Sequence, residues 1–313
     1  MGYLFLSVAL AVGIAKGYCG KKTSFAISSN SDSMIMNVLR MCICILIGFL
    51  LIVAQNDIAS LKTDGFTLLV TAISGVASAA FVVSWLLSVR TGAYMMVEVF
   101  LLIGVIVPIV LCRILFAEAI GYWQIIGIAV LLVAVFIMCT YNNSVKGKLS
   151  LGSLALLLIC GLSNGFADFS QKLFVRTRPD GSVTMFNFYT YVFAAAALLI
   201  AYVIFRKIDE KNGNEPRAPF QVIKPIWIYV LIMAACLFAN SFFKTRAAQY
   251  LDAVQLYPLN QGCSVMLSLL MSSIVFKEKV NAKCILGICL SFMALLMINL
   301  DVPTLITAIA NMF

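Results

Sequence analysis

Ten runs of mostly apolar residues follow one another along the chain, each near the length of a bilayer crossing and separated by polar links. A helix rises about 1.5 Å per residue, so about 20 apolar residues carry it across about 30 Å of hydrocarbon. The runs cover residues 3–23, 34–54, 66–89, 93–116, 123–140, 149–174, 183–205, 226–246, 253–276 and 282–300. Backbone polar groups placed in lipid must be satisfied inside the segment, which a helix does. The 313 residues are 63% hydrophobic and 11% charged. A soluble domain carries about 45–50% apolar and about 25% charged residues, and has too little interior to hide this excess. The expected fold class is an all-α integral membrane protein with ten transmembrane helices.

Several function classes fall away on composition. Histidine is absent, which removes the commonest catalytic base and the commonest zinc ligand. The ten cysteines are scattered through apolar runs, and the one close pair is Cys42-x-Cys44. They read as small buried hydrophobes rather than a disulfide framework or metal site. No phosphate-binding or dinucleotide loop and no nucleophile elbow occurs, so neither a cofactor nor a catalytic residue is expected. The net charge of +9 falls between apolar runs, where lipid headgroups and topology account for it without nucleic acid. The first residues lack the positive stretch and cleavage site of a signal peptide.

The chain repeats itself. Phe116-Ala117-Glu118 and Gly127 recur as Phe276-Lys277-Glu278 and Gly287, each pair 160 residues apart. Gly13-x-x-x-Gly17-Tyr18 recurs as Gly161-x-x-x-Gly165-Phe166, 148 apart, so the intervening links absorb the difference. The long charged link before the eighth run, 206–224, is the natural place. The repeat divides the chain into halves of five helices, residues 1–145 and 146–313. An odd count forces tandem halves to cross the membrane in opposite senses, the inverted-repeat design in which substrate sits near mid-membrane between the halves.

The Phe-x-Glu turn followed by a closing helix with a Gly, placed in register in both halves, resembles the drug/metabolite transporter superfamily, in its EamA-like branch. The likeness extends over essentially the whole chain. It implies a secondary transporter in the plasma membrane of a prokaryote, many such proteins being exporters of amino acids, other metabolites or drugs. Relatives carry nucleotide sugars or sugar phosphates. The resemblance does not name the cargo, so the partners implied are the lipid bilayer, a small polar metabolite such as an amino acid or organic anion, and protons as a coupling ion. The halves depart from one another at Pro108, well along the fourth helix, and Pro258, near the start of the ninth.

Ionisable groups at the centre of a span cost about 2.5–3.5 kcal/mol each on insertion scales, so each one inside a run asks for a reason. Asn164, Asp168 and Lys172 are spaced to share one face of the sixth helix. They can line a cavity, or Asp168 and Lys172 can pair and only stabilise the helix end. The first helix ends in Lys16, Lys21 and Lys22, which can attract an anion or snorkel to headgroups; Lys22 is the preferred candidate. Glu98 in the fourth helix can titrate and couple transport to protons, or sit where a helix start tolerates an acid. Gln255, Tyr257 and Gln261 of the ninth helix offer uncharged hydrogen bonds to substrate or to neighbouring helices. Glu118 and Glu278 read as helix-start acids and are set outside the site.

Orientation stays open, because the resemblance places both termini in the cytoplasm while the loop lysines and arginines favour the opposite side. A membrane enzyme would show a water-facing cluster of His, Cys or paired carboxylates, and a channel would show rings of like residues. A transporter requires neither.

Overall fold

The computed structural model describes residues 1–23, 27–90, 100–102, 104–140, 151–212, 217–275 and 282–299. Among these, no strand occurs. The longer helices are α1 (Gly2–Thr23), α2 (Asn30–Ala54), α3 (Gly65–Arg90), α4 (Ile106–Phe116), α5 (Tyr122–Thr140), α6 (Leu151–Thr177), α7 (Val183–Lys211), α8 (Trp227–Ala248), α9 (Ala253–Val275) and α10 (Ala282–Asn299). A 3₁₀ turn at Ile58–Leu61 and a short helix at Pro219–Ile223 lie in the links. By length and composition α1, α2, α3, α6, α7 and α8 can each cross a membrane, and Phe100–Phe116, Tyr122–Ala134 and Ile285–Asn299 are shorter apolar stretches. The chain is therefore an all-helical, multi-pass membrane protein.

Local chemistry sets the helix ends. α2 begins four residues before its apolar run because Ser29 and Asp32 form a capping box. Ser182 caps α7 by accepting the Met185 N–H. α7 then runs on to Lys211, so the expected 206–224 link is shorter and holds a helical turn of its own. α4 stops at Ala117, whose φ of 50° is left-handed without a glycine. That turn reverses the chain and directs Glu118 inward.

Contacts fix how the helices run. Asn240 of α8 donates to the Ala9 carbonyl of α1 at 2.7 Å, and Gly2 abuts Leu251 beyond the end of α8, so these two are antiparallel. The α2–α7 pair is antiparallel as well: Thr184 donates to Gln55 at one end, and the Ser31 N–H donates to Asp209 at the other. Gln124 at the start of α5 donates to the Ile298 carbonyl near the end of α10. The start of α1 and the links after α2, α4, α6 and α8 thus gather at one end, the Glu118 end. The links after α1 and α7 lie at the other, the Asp32 end.

The tightest crossing joins α6 to the residues leading into α4. A Cβ on Gly104 would lie 2.1 Å from the Gly161 carbonyl oxygen, and one on Gly165 would lie 2.2 Å from that of Gly104. Only hydrogen fits there, as in small-residue membrane crossings. Gly161→Val is expected to lower thermal stability by several degrees, since overpacking costs about 1–3 kcal/mol. Gly65→Ala, where a Cβ meets nothing, is expected to leave it unchanged. Fluorescence-detected melting of the two variants checks this.

Candidate substrate pathway

Two ionic clusters sit on one face of α6. The inner one centres on Asp168, which is buried. Lys244 of α8 places its Nζ 2.5 Å from Asp168 Oδ1, and Tyr257 of α9 donates to the Asp168 carbonyl at 2.6 Å. Asp168 therefore ties three helices together. It does not pair with Lys172 on its own helix.

Lys172 is turned toward the Glu118 end, where it is 1% exposed. Its Nζ donates to the Ala248 carbonyl at 3.0 Å and to the Leu251 carbonyl, and lies 3.5 Å from Glu118 Oε1. A cation suits this place because the end of α8 carries the negative end of the helix dipole. Glu118 is buried too, and takes a second cation, Arg176, at 3.0 Å. Its other oxygen accepts the Ala253 N–H that opens α9, at 2.9 Å. Arg176 also reaches Asp252 at 2.8 Å. The cluster joins the α4–α5 link to α6, α8 and α9 at the Glu118 end. Glu118 does complement a helix start, as the sequence suggests, but that helix lies in the other half of the chain and the acid also holds two cations. The recurrence of Phe-x-Glu was the available signal for it.

Beside these clusters lies a layer of uncharged polar groups. Gln171 donates to Ser241, and Ser241 donates to Asn187 Oδ1 at 2.5 Å. Gln171 Oε1 and Thr190 Oγ1 are buried without a hydrogen-bond partner. A stacked pair, Phe174 on Phe186 with ring centres 4.5 Å apart, lies one turn nearer the Glu118 end. Beyond it a cleft of about 680 Å³ opens between the α2–α3 and α6–α7 links and the end of α8, with Gln55, Lys62, Asp64, Arg178, Asp180 and Arg246 on its walls. Arg178 and Thr67 bond the Asp64 carboxylate and hold it well below the usual carboxylate range. A depressed acid contributes its contact above its ordinary value, about 4, and loses it as pH falls through the lowered one. The Asp64–Arg178 contact therefore persists at neutral pH.

The other residues singled out by sequence are dispersed. Asn164 is half-buried one turn from Asp168, toward the middle of α6, and Gln261 is buried on α9. Gln255 is half-buried in the first turn of α9, near the Glu118 cluster. Lys22 is exposed at the far end of α1, 5.8 Å from the Tyr18 ring centre, apart from both clusters. Glu98 lies outside the described residues.

Arg40 escaped sequence reasoning although it stands alone inside an apolar run, the signal that should have marked it. It lies ten residues into α2, about 15 Å along the axis from the Asp32 end. Cys44, one turn deeper and buried, is within electrostatic range of both Arg40 and Lys16.

Residues 151–300, from α6 to the end of α10, match the EamA-like transporter family. No curated protein matches the sequence. A solved structure, described only as the crystal structure of a protein, superposes with a TM-score of 0.73. The match covers 95% of this chain and 95% of the other at 11% identity, a likeness of fold alone.

Proposed function

We propose, from the match of residues 151–300 to the EamA-like transporter family, that this chain is a membrane transporter of the drug/metabolite type, a secondary transporter exporting a small polar metabolite by alternating access. In this reading ten helices cross the bilayer as two inverted halves, residues 1–145 and 146–313. The substrate sits between them at mid-depth, against Asn164, Asp168, Tyr257 and Gln261, and a proton is the coupling ion.

The observation that carries this reading is the buried polar column on α6, in which Asp168, Gln171 and Lys172 each bond a different neighbour. Charges this deep in an apolar bundle are costly, and in membrane proteins they mark pathways and relays. The helix pairings support the inverted halves. Exchanging each helix with the one five places on turns α1–α8 into α6–α3, α4–α6 into α9–α1 and α3–α7 into α8–α2, while α2–α7 and α5–α10 map onto themselves. In addition α1 begins at the Glu118 end whereas α6 finishes there. The Glu118 cluster serves as the closure of one end, broken when the pathway opens that way. Glu98 and Lys22 remain substrate-contact proposals on the strength of sequence alone.

The test is uptake by proteoliposomes of solutes that first raise the melting temperature of the purified protein. Saturable uptake that accelerates when a pH gradient is imposed is the expected result. Uptake no faster than in protein-free vesicles for every such solute contradicts transport. Saturable uptake indifferent to the gradient removes the proton while leaving transport in place.

A further inference from the structure

Inside α2 lies a cation, Arg40, that no acid among the described residues answers. Arg40 Nε is buried without a hydrogen-bond partner, and no carboxylate among the described residues lies within ion-pair distance of its guanidinium. The groups that face it are a thiol and a phenol, Cys44 and Tyr191. Neither is a carboxylate that could form an ion pair with it, and each donates its hydrogen elsewhere. The Cys44 Sγ–H donates to the Ala234 carbonyl at 3.3 Å, and the Tyr191 hydroxyl donates to the Leu237 carbonyl at 3.2 Å. Lys16 approaches the same place from α1, within electrostatic range of Cys44 and Cys236. Elsewhere in the interior the cations are matched: Lys244 has Asp168, and Lys172 has Glu118. A guanidinium offers a planar fork of donors that fits the two oxygens of a carboxylate or phosphate.

We propose that the transported solute carries an oxyanion, a carboxylate or phosphate group, and that Arg40 is the residue that receives it. This rests on the transporter reading and narrows its substrate class. A solute bound this way bridges α2 of the first half to the polar layer on α6, α7 and α8 of the second.

The test uses the full chain in phosphatidylcholine nanodiscs with three probes, inorganic phosphate, succinate and glutamate, against neutral succinamide. At least one oxyanion is expected to raise the melting temperature, and succinamide is not. Arg40→Gln is expected to weaken that oxyanion at least tenfold, and Arg40→Lys less. Size-exclusion profiles of both variants show whether each is folded. Stabilisation only in phosphatidylglycerol discs, with no response to the free anions, assigns Arg40 to a lipid headgroup and overturns the proposal. So does equal oxyanion binding by wild type and a folded Arg40→Gln. Counterflow in proteoliposomes separates the two levels. Exchange of a neutral solute by wild type and Arg40→Gln alike overturns the oxyanion and leaves transport standing, whereas no exchange of any solute removes both.

Discussion

Asp168→Asn is expected to abolish uptake and to lower the melting temperature more than any other single change at the site. The substitution leaves Lys244, whose side chain is 13% exposed, facing a neutral amide in the interior. Removing one partner of a buried pair costs about 3–5 kcal/mol, because the remaining charge stays desolvated. Loss of uptake alone would not separate a pathway residue from a structural one, since such a protein can fail to fold. The double variant Asp168→Asn/Lys244→Gln separates them. With no charge left behind, hydrogen-bonded neutral partners are expected to restore much of the lost stability. Uptake is expected to stay absent, because the carboxylate is still missing. A double variant that melts near wild type and transports normally assigns the pair to structure alone.

Glu118→Gln is expected to open the Glu118 end. The amide keeps the size of the carboxylate but withdraws the negative charge from Lys172 and from Arg176. Lys172 retains two carbonyl acceptors and Arg176 retains Asp252, so the loss is smaller than for a stranded charge, about 2 kcal/mol. That corresponds to roughly 30-fold in an open–closed equilibrium. Cys112 of α4 reports it. It is fully buried beside the cluster and within electrostatic range of both Glu118 and Lys172. In a background with the other cysteines replaced, maleimide labelling of Cys112 is expected to rise with the open population. Labelling unchanged from the Glu118 parent shows that the cluster does not hold this end shut.

Much of the architecture was legible because the bilayer imposes length and apolarity on every crossing. Nine of the ten apolar runs lie on helices whose ends differ from them by six residues or fewer, and the larger differences have local causes; the fourth run, 93–116, falls partly outside the described residues, and α4 starts at Ile106. The cap at Ser29 and Asp32 starts α2 early because polar capping residues do not register as apolar. The last turns of α7 continue past the oil because Lys207 and Glu210 face water there while Asp209 is buried and accepts the Ser31 N–H at the start of α2. Six helices meet the length and hydropathy of a crossing by themselves, while α4, α5 and α10 present shorter apolar stretches.

The polar face of α6 was also legible, since spacing along one helix fixes which side chains share a side. Their partners were not. Asp168 and Lys172 are one turn apart and look made for each other, yet Asp168 bonds Lys244 and Lys172 bonds the end of α8 and Glu118. Those choices depend on which helices are neighbours, and spacing within a helix carries no such information. Lys22 drew notice as one of several clustered lysines and lies exposed at a helix end, while solitary Arg40 passed unnoticed inside its run. Glu118 sits in a turn, where sequence alone suggests a cap. Only the crossing of α4, α6, α8 and α9 makes it the common partner of two cations from the other half.

The central claim is that the two ends open in alternation, and paired spin labels measure it most directly. Tyr122 and Tyr250 are exposed at the Glu118 end, and Ser28 and Lys211 are exposed at the Asp32 end. Each pair is to be labelled in liposomes and its distance distribution recorded with and without a solute that the protein transports. Solute is expected to lengthen one distance while shortening the other, and Glu118→Gln is expected to lengthen the Tyr122–Tyr250 distance without solute. Two distributions that stay fixed, or that lengthen together, contradict alternating access.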